Sequence, residues 1–167
     1  MLNIFSLTNK YQIKRLTEND IGIVLKLYQT NEKYFSYFGD IPTKEIVRED
    51  MCALPPNTKN EDKHYFGIFD KDKLACVVDM IDGYPEKGTI YIGLFMLDKS
   101  LQHQGLGTKI IDDFIVDLSK QGYKYIKLAY IDNNDEANCF WRKNGFIDSG
   151  KKSTLKNTNI TELKRKL

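Results

Sequence analysis

The stretch Gln102-His103-Gln104-Gly105-Leu106-Gly107-Thr108 sets two glycines among side chains that can hydrogen-bond. It lies between a strand-like apolar run, Ile90 to Leu97, and a helix-like run, Lys109 to Lys120. A glycine loop that passes from a strand into a helix start suits a phosphate. Glycine lets the backbone turn tightly and approach a ligand closely. The free amides of a first helical turn point at the anion, and the helix dipole favours it. Two familiar phosphate loops fit poorly. The dinucleotide fingerprint wants a third glycine where Ile110 stands, and an acidic residue in the later region that offers Lys127. The Walker loop wants Gly-Lys followed by Ser or Thr, whereas the order here is Gly107-Thr108-Lys109. A glycine turn that ends a strand is the plain alternative.

A third pattern, Gln-x-x-Gly-x-Gly, fits without a gap at Gln102, Gly105 and Gly107. It resembles the pyrophosphate loop of the GCN5-related N-acetyltransferase (GNAT) family. The flanks carry the same resemblance. Tyr91 to Leu97 looks like that family's fourth strand. Asn134, Ala137, Gly145 and Phe146 stand in register with its Asn-x-x-Ala-x-x-x-Tyr-x-x-x-Gly-Phe block, with Trp141 where the family has tyrosine. The likeness is good from about His64 to Phe146 and loose before it.

The resemblance implies an acetyl-CoA-dependent N-acetyltransferase acting on a primary amine of a small molecule or peptide. In that chemistry an amine attacks a thioester and a tetrahedral oxyanion forms. The protein positions the reactants, donates a hydrogen bond to the oxyanion and manages protons. Backbone of the fourth strand does the polarising in this family, so no side-chain nucleophile is required, and the sequence has no Ser-His-Asp or Cys-His pattern. By resemblance, Phe95, Met96 and Leu97 hold the acetyl and pantetheine arm. Gln102, His103, Gln104, Gly105, Leu106, Gly107 and Thr108 take the pyrophosphate. Asn134, Phe140 and Trp141 approach from the other side. Lys143 reaches phosphate or is simply solvated.

The proton-handling groups depart from the family pattern. An indole N–H donates a hydrogen bond but does not give up its proton, so Trp141 cannot act as the acid. Tyr130 and Tyr84 are the candidates to replace it. The family's glutamate base has no counterpart in Tyr91-Ile92-Gly93. Asp79 is the best carboxylate to take that role, with a surface-facing strand residue as the bland reading. Strand alternation places Asp79 with Val77 and Ile81, opposite Val78 and Met80. A catalytically silent acyl-CoA-binding module is the second reading, and a nucleotide-binding protein the third.

These groups need a scaffold. Tyr11 to Arg15 reads as a first strand. Thr17 caps a helix with Ile21, Val24, Leu25, Leu27 and Tyr28 on its apolar side. Thr43 caps a second helix through Met51. Leu54 to Asp62 is a loop, and Tyr65 to Phe69 with Leu74 to Ile81 form a hairpin. Asp82-Gly83-Tyr84-Pro85 turns toward the fourth strand. Ile110, Ile111, Phe114, Ile115 and Leu118 form a helical stripe. Tyr125 to Tyr130 is a strand, Asn134 opens a helix, and Phe146 to Ser149 and Ile160 to Leu163 close the sheet. The acceptor pocket falls to the first two helices and their loop, where Tyr28, Tyr34 and Tyr37, with Tyr84, are the substrate-binding candidates. Phe35 and Phe38 read as core.

The resulting expectation is an α/β (α+β) fold in one domain over residues 1–167. Its mixed, mostly antiparallel sheet is flanked by helices and its central strands splay at the acyl-CoA site. The chain of 167 residues is 41% hydrophobic and 29% charged, values of a globular domain. A net charge of +2 gives no case for nucleic acid. Cys52, Cys76 and Cys139 show no Cys-x-x-Cys spacing, and His64 and His103 have no partner at metal-ligand spacing, so no metal is expected. No leader and no membrane span are read, and the location expected is cytoplasmic. A homodimer is compatible with this reading.

Overall fold

The computed structural model describes residues 1–167. Seven strands form one sheet: β1 (Gln12–Arg15), β2 (Lys63–Asp70), β3 (Lys73–Asp82), β4 (Thr89–Leu97), β5 (Tyr125–Ile131), β6 (Ile147–Leu155) and β7 (Thr158–Lys166). Their order is β1-β2-β3-β4-β5-β7-β6. Every neighbouring pair is antiparallel except β4 and β5. The helices are α1 (Ile21–Gln29), α2 (Glu32–Ser36), α3 (Lys44–Cys52), α4 (Leu106–Lys120) and α5 (Asp135–Lys143). This is the mixed, mostly antiparallel sheet flanked by helices that the sequence implied.

Strand alternation splits the apolar residues into two cores. Cys76, Val78 and Met80 of β3 point to the face covered by α4 and α5, where they meet Ile110, Phe114 and Trp141. Val77 points to the opposite face and packs with Val24 and Tyr28 of α1 and Val47 of α3. Each β3 side chain is thus assigned to a face by the two-residue period of the strand.

Two irregularities prepare the site. β4 pairs with β5 only from Thr89–Ile92 against Tyr125–Leu128, yet both strands continue beyond that point. They therefore part, leaving a wedge between Gly93–Leu97 and Ala129–Ile131. In the pairing of β3 with β4, Asp79 lies opposite Leu94 and Met80 opposite Ile92, so Gly93 is the extra residue of a bulge.

The elements depart from sequence expectation at their ends. The segment capped by Thr17 begins as a tight turn over Glu18–Asp20, and α1 proper starts at Ile21. Asp20 closes that turn by accepting from the Thr17 amide at 2.9 Å and from Lys14 at 2.6 Å. Helix α4 starts a turn earlier than the apolar stripe suggests, at Leu106, because Gly105 caps it. Strands β6 and β7 are longer than expected. The side chains of β6 are almost all exposed, so they carry no hydrophobic alternation to read.

Candidate active site

The loop before α4 is held in place by side chains. Gln102 Nε2 donates to Asn31 Oδ1 at 2.8 Å and to the Leu97 carbonyl at 3.2 Å. Asn31 Nδ2 donates to the same carbonyl at 3.0 Å. Gln104 Nε2 bonds the Ser100 carbonyl at 2.7 Å. Gln102 thus braces the loop against the end of β4, and the Leu97 carbonyl is already engaged. The backbone amides of His103 to Thr108 donate to no protein acceptor. They form a run of unsatisfied donors at the positive end of a fifteen-residue helix, the arrangement that binds phosphate.

The two glycines of the loop do different jobs. Gly105 has φ +80°, a left-handed conformation that side chains disfavour, and open space where a Cβ would point. Gly107 is buried, and a Cβ there would stand 3.0 Å from both Leu97 Cδ1 and Phe140 Cε2. Gly107 lets α4 pack against β4 and α5, so its absent side chain is a matter of packing first.

A cavity of about 870 Å³ runs from this loop, through the wedge, to α2 and the β6–β7 hairpin. Of the cofactor candidates, Phe95, Met96, Leu97, Gln102, His103, Gly105, Gly107, Thr108, Asn134, Phe140, Trp141 and Lys143 line it. Gln104 and Leu106 do not; Leu106 packs toward the main core, so these two residues offer the loop their amides. Asn134 caps α5, its Oδ1 accepting from the Ala137 amide at 3.1 Å. Trp141 packs edge-on against Phe95, Phe140 and Phe146 at centroid distances of 5.7, 4.9 and 5.1 Å. Tyr130, on β5 beyond the parting point, lines the wedge.

Tyr34 and Tyr37 line the far end, joined by Phe38, which helical spacing assigns to the core. Tyr28 must be corrected. It is 0% exposed, and its hydroxyl bonds Asp50 and the Tyr65 hydroxyl, each at 2.8 Å. Its place on the inner stripe of α1 makes it core, and no substrate reaches it. Tyr84 also lies off the cavity wall and instead packs edge-on against Tyr91, which is on the wall.

Asp79 is not on the wall either, but it sits directly behind it. Its carboxylate fills the space that a side chain at Gly93 would occupy, with Oδ2 2.7 Å from the Cβ position. Gly93 itself is exposed in the wedge. Asp79 Oδ2 also pairs with Lys63 Nζ at 2.7 Å, the two side chains being 13% and 6% exposed. Lys63 in turn lies over the Tyr65 ring, 5.9 Å from its centroid. Asp79 Oδ1 is buried with no hydrogen-bond partner. Burial pushes the Asp79 carboxyl up to about 6, against the pull of Lys63. Burial likewise raises Asp50 and the phenol of Tyr91.

The family model of the acetyltransferase (GNAT) family matches residues 24–146, well over half of the chain. The chain belongs to the GNAT acetyltransferase family. No curated protein sequence matches it closely enough to add a substrate. Solved structures agree on the fold. An acetyltransferase from Thermus thermophilus superposes with a TM-score of 0.75 at 21% identity, covering 95% of this chain and 97% of that one. The RimL ribosomal L7/L12 α-N-protein acetyltransferase in complex with coenzyme A gives 0.74 at 17%, with 99% and 98% covered. A Bacillus subtilis acetyltransferase in complex with CoA gives 0.61 at 18%, with 95% and 98% covered.

Within this GNAT member, four residues that sequence reading missed bear on the chemistry of the site. Asn31 braces the Leu97 carbonyl from the turn after α1. Tyr91 faces the cavity from β4. Gly93 opens the wall, and Lys63 anchors Asp79. Tyr91 was legible from strand period alone, since it alternates with the buried Ile90 and Ile92. The other three depend on strand register and tertiary approach, and carry no local signal.

Proposed function

We propose that this acetyltransferase uses acetyl-CoA to acetylate a primary amine by direct attack. The observation that supports it most is the continuity of one cavity from the unsatisfied amides at the head of α4 to the wedge where β4 leaves β5. The residues suit an acyl-CoA. The amides of His103 to Thr108 suit the pyrophosphate, and the unpaired edge of β4 suits an amide-bearing pantetheine arm. Phe95, Phe140 and Trp141 supply an apolar surround that excludes water. Acetyl-CoA supplies the activated acetyl group, as a thioester.

The chain's own groups then perform the remaining tasks. Backbone donors of the parted β4 stabilise negative charge developing on the acyl oxygen, as pre-oriented dipoles in a dry site. Asp79, ionised at neutral pH and set directly behind the bare backbone of Gly93, draws the proton from the incoming ammonium through a water. Its elevated pKa places it closer to the useful range for that task than an ordinary carboxylate. Tyr130 stands on the opposite side of the wedge as the hydroxyl able to donate a proton to the leaving group. Trp141 packs and orients but transfers no proton.

Thiol release from acetyl-CoA, followed across a panel of amines, tests this reading. Amine-dependent release is expected. Tight CoA binding with no release for any amine would leave a silent acyl-CoA-binding module instead.

A further inference from the structure

The acceptor end of the cavity is covered, and the cover is tied down. Hairpin β6–β7 reaches back over the sheet to the segment between α2 and α3. At its tip Lys156 Nζ pairs with Asp40 Oδ2 at 2.9 Å. Next to it, Thr158 Oγ1 donates to the Tyr37 carbonyl at 2.9 Å. The hairpin contributes Leu155 and Ile160 to the cavity, facing Tyr34, Tyr37 and Phe38 from the other side. Leu155 remains about half exposed, an apolar residue at the tip of a strand whose other side chains are mostly polar.

We propose that this hairpin roofs the acceptor site and restricts the acceptor to a compact primary amine with an apolar or aromatic body, against an extended polypeptide. The inference rests on the transferase reading and names its substrate class. Three features carry it. The walls between roof and floor are aromatic and aliphatic, so they reward an apolar body. A polypeptide threaded there would bring backbone N–H and C=O groups against Leu155, Ile160 and Phe38, which cannot pair with them, and each group left so is costly. At the tip of the roof the Lys156 charge is neutralised by Asp40. Behind Gly93 the floor holds one carboxylate, paired with Lys63 through Oδ2 and unpartnered at Oδ1, so it offers an ammonium a single acceptor oxygen and a polycation no run of free carboxylates.

The test compares kcat/KM for 2-phenylethylamine and butylamine with that for a short peptide bearing a free α-amine, and for an N-blocked peptide bearing one lysine. Both the wild type and the Lys156→Ala/Thr158→Val double variant are measured. The wild type is expected to favour the small amines by at least about tenfold, the discrimination that pocket contacts ordinarily supply. The double variant releases both ties, so the ratio should fall through a gain on the peptides, with CoA affinity by calorimetry unchanged. Peptides used as well as small amines by the wild type overturn the inference and leave the transferase reading standing. An unchanged ratio in a folded double variant overturns the role of the hairpin. Absence of turnover with every amine overturns both.

Discussion

Asp79 stands where the side chain of residue 93 would be: its Oδ2 lies 2.7 Å from the Cβ position of Gly93. One residue on β3 and one on β4 therefore share a single volume. The bulge of β4 presents the bare backbone of Gly93 to the wedge, and Asp79 places a carboxylate immediately beneath it. A β4 side chain and the Asp79 carboxylate are mutually exclusive at this point.

Gly93→Ala should act through Asp79. The added methyl must displace the carboxylate or the Lys63 pair. The expected result is a kcat loss of the same kind as in Asp79→Asn, about 10²-fold or more as for a lost base, with CoA affinity retained. Full turnover in Gly93→Ala would separate the two residues functionally.

On this proposal the acid limb of the pH–rate profile should report Asp79. Its carboxyl lies at about 6, so activity should rise with pH through that value. Lys63→Met removes the cation that opposes the burial effect, so the limb should move to higher pH. The same change strands a buried carboxylate and should cost about 3–5 kcal/mol of stability in denaturant titration. A limb that stays in place in Lys63→Met assigns it to another group.

Stability carries the same signature with a definite sign. The Asp79 carboxyl binds its proton more tightly folded, at about 6, than at the ordinary value of 3.8. Between those values the folded protein holds the extra proton, so this group's contribution is present below pH 3.8 and is lost as pH rises through about 6. The loss is on the order of 3 kcal/mol. Asp20 and Asp98 are held low and act in the opposite sense, so the check is the difference between wild type and Asp79→Asn across this range. A difference that does not change with pH refutes the assignment.

The loop glycines should separate affinity from stability. Gly105→Val forces a β-branched residue into φ +80° at the head of α4, with no neighbour to strike. CoA affinity should drop as the loop amides are re-aimed, with a stability loss of about 1–2 kcal/mol. Gly107→Ala pushes a methyl against Leu97 and Phe140 and should lower the melting temperature first. Calorimetry with CoA and thermal melting read the two effects.

Trp141→Phe should weaken CoA binding by loosening the cluster of Phe95, Phe140 and Phe146, while both limbs of the pH–rate profile stay in place. Loss of one limb would show a proton passing through the indole's position.

The loop from Gln102 to Thr108 and the block from Asn134 to Phe146 were legible because their chemistry is local. A glycine loop, a helix start and an N-cap are properties of adjacent residues, and so they survive in a single sequence. The faces of β3 were legible for the same reason, since a two-residue period assigns Val77 and Val78 to opposite sides. What the tertiary structure decided is everything that depends on register between strands. The sequence places Asp79 on a face. The bulge at Gly93 opens the wall in front of it, and Lys63 anchors it from the neighbouring strand β2. Tyr28 has the composition of a pocket residue, but the inward face of α1 and its bonds to Asp50 and Tyr65 make it core. The tie between Lys156 and Asp40 joins residues far apart along the chain, and only the folded sheet brings that hairpin over the acceptor end. Periodicity reports which way a side chain points; it holds no information on what arrives opposite.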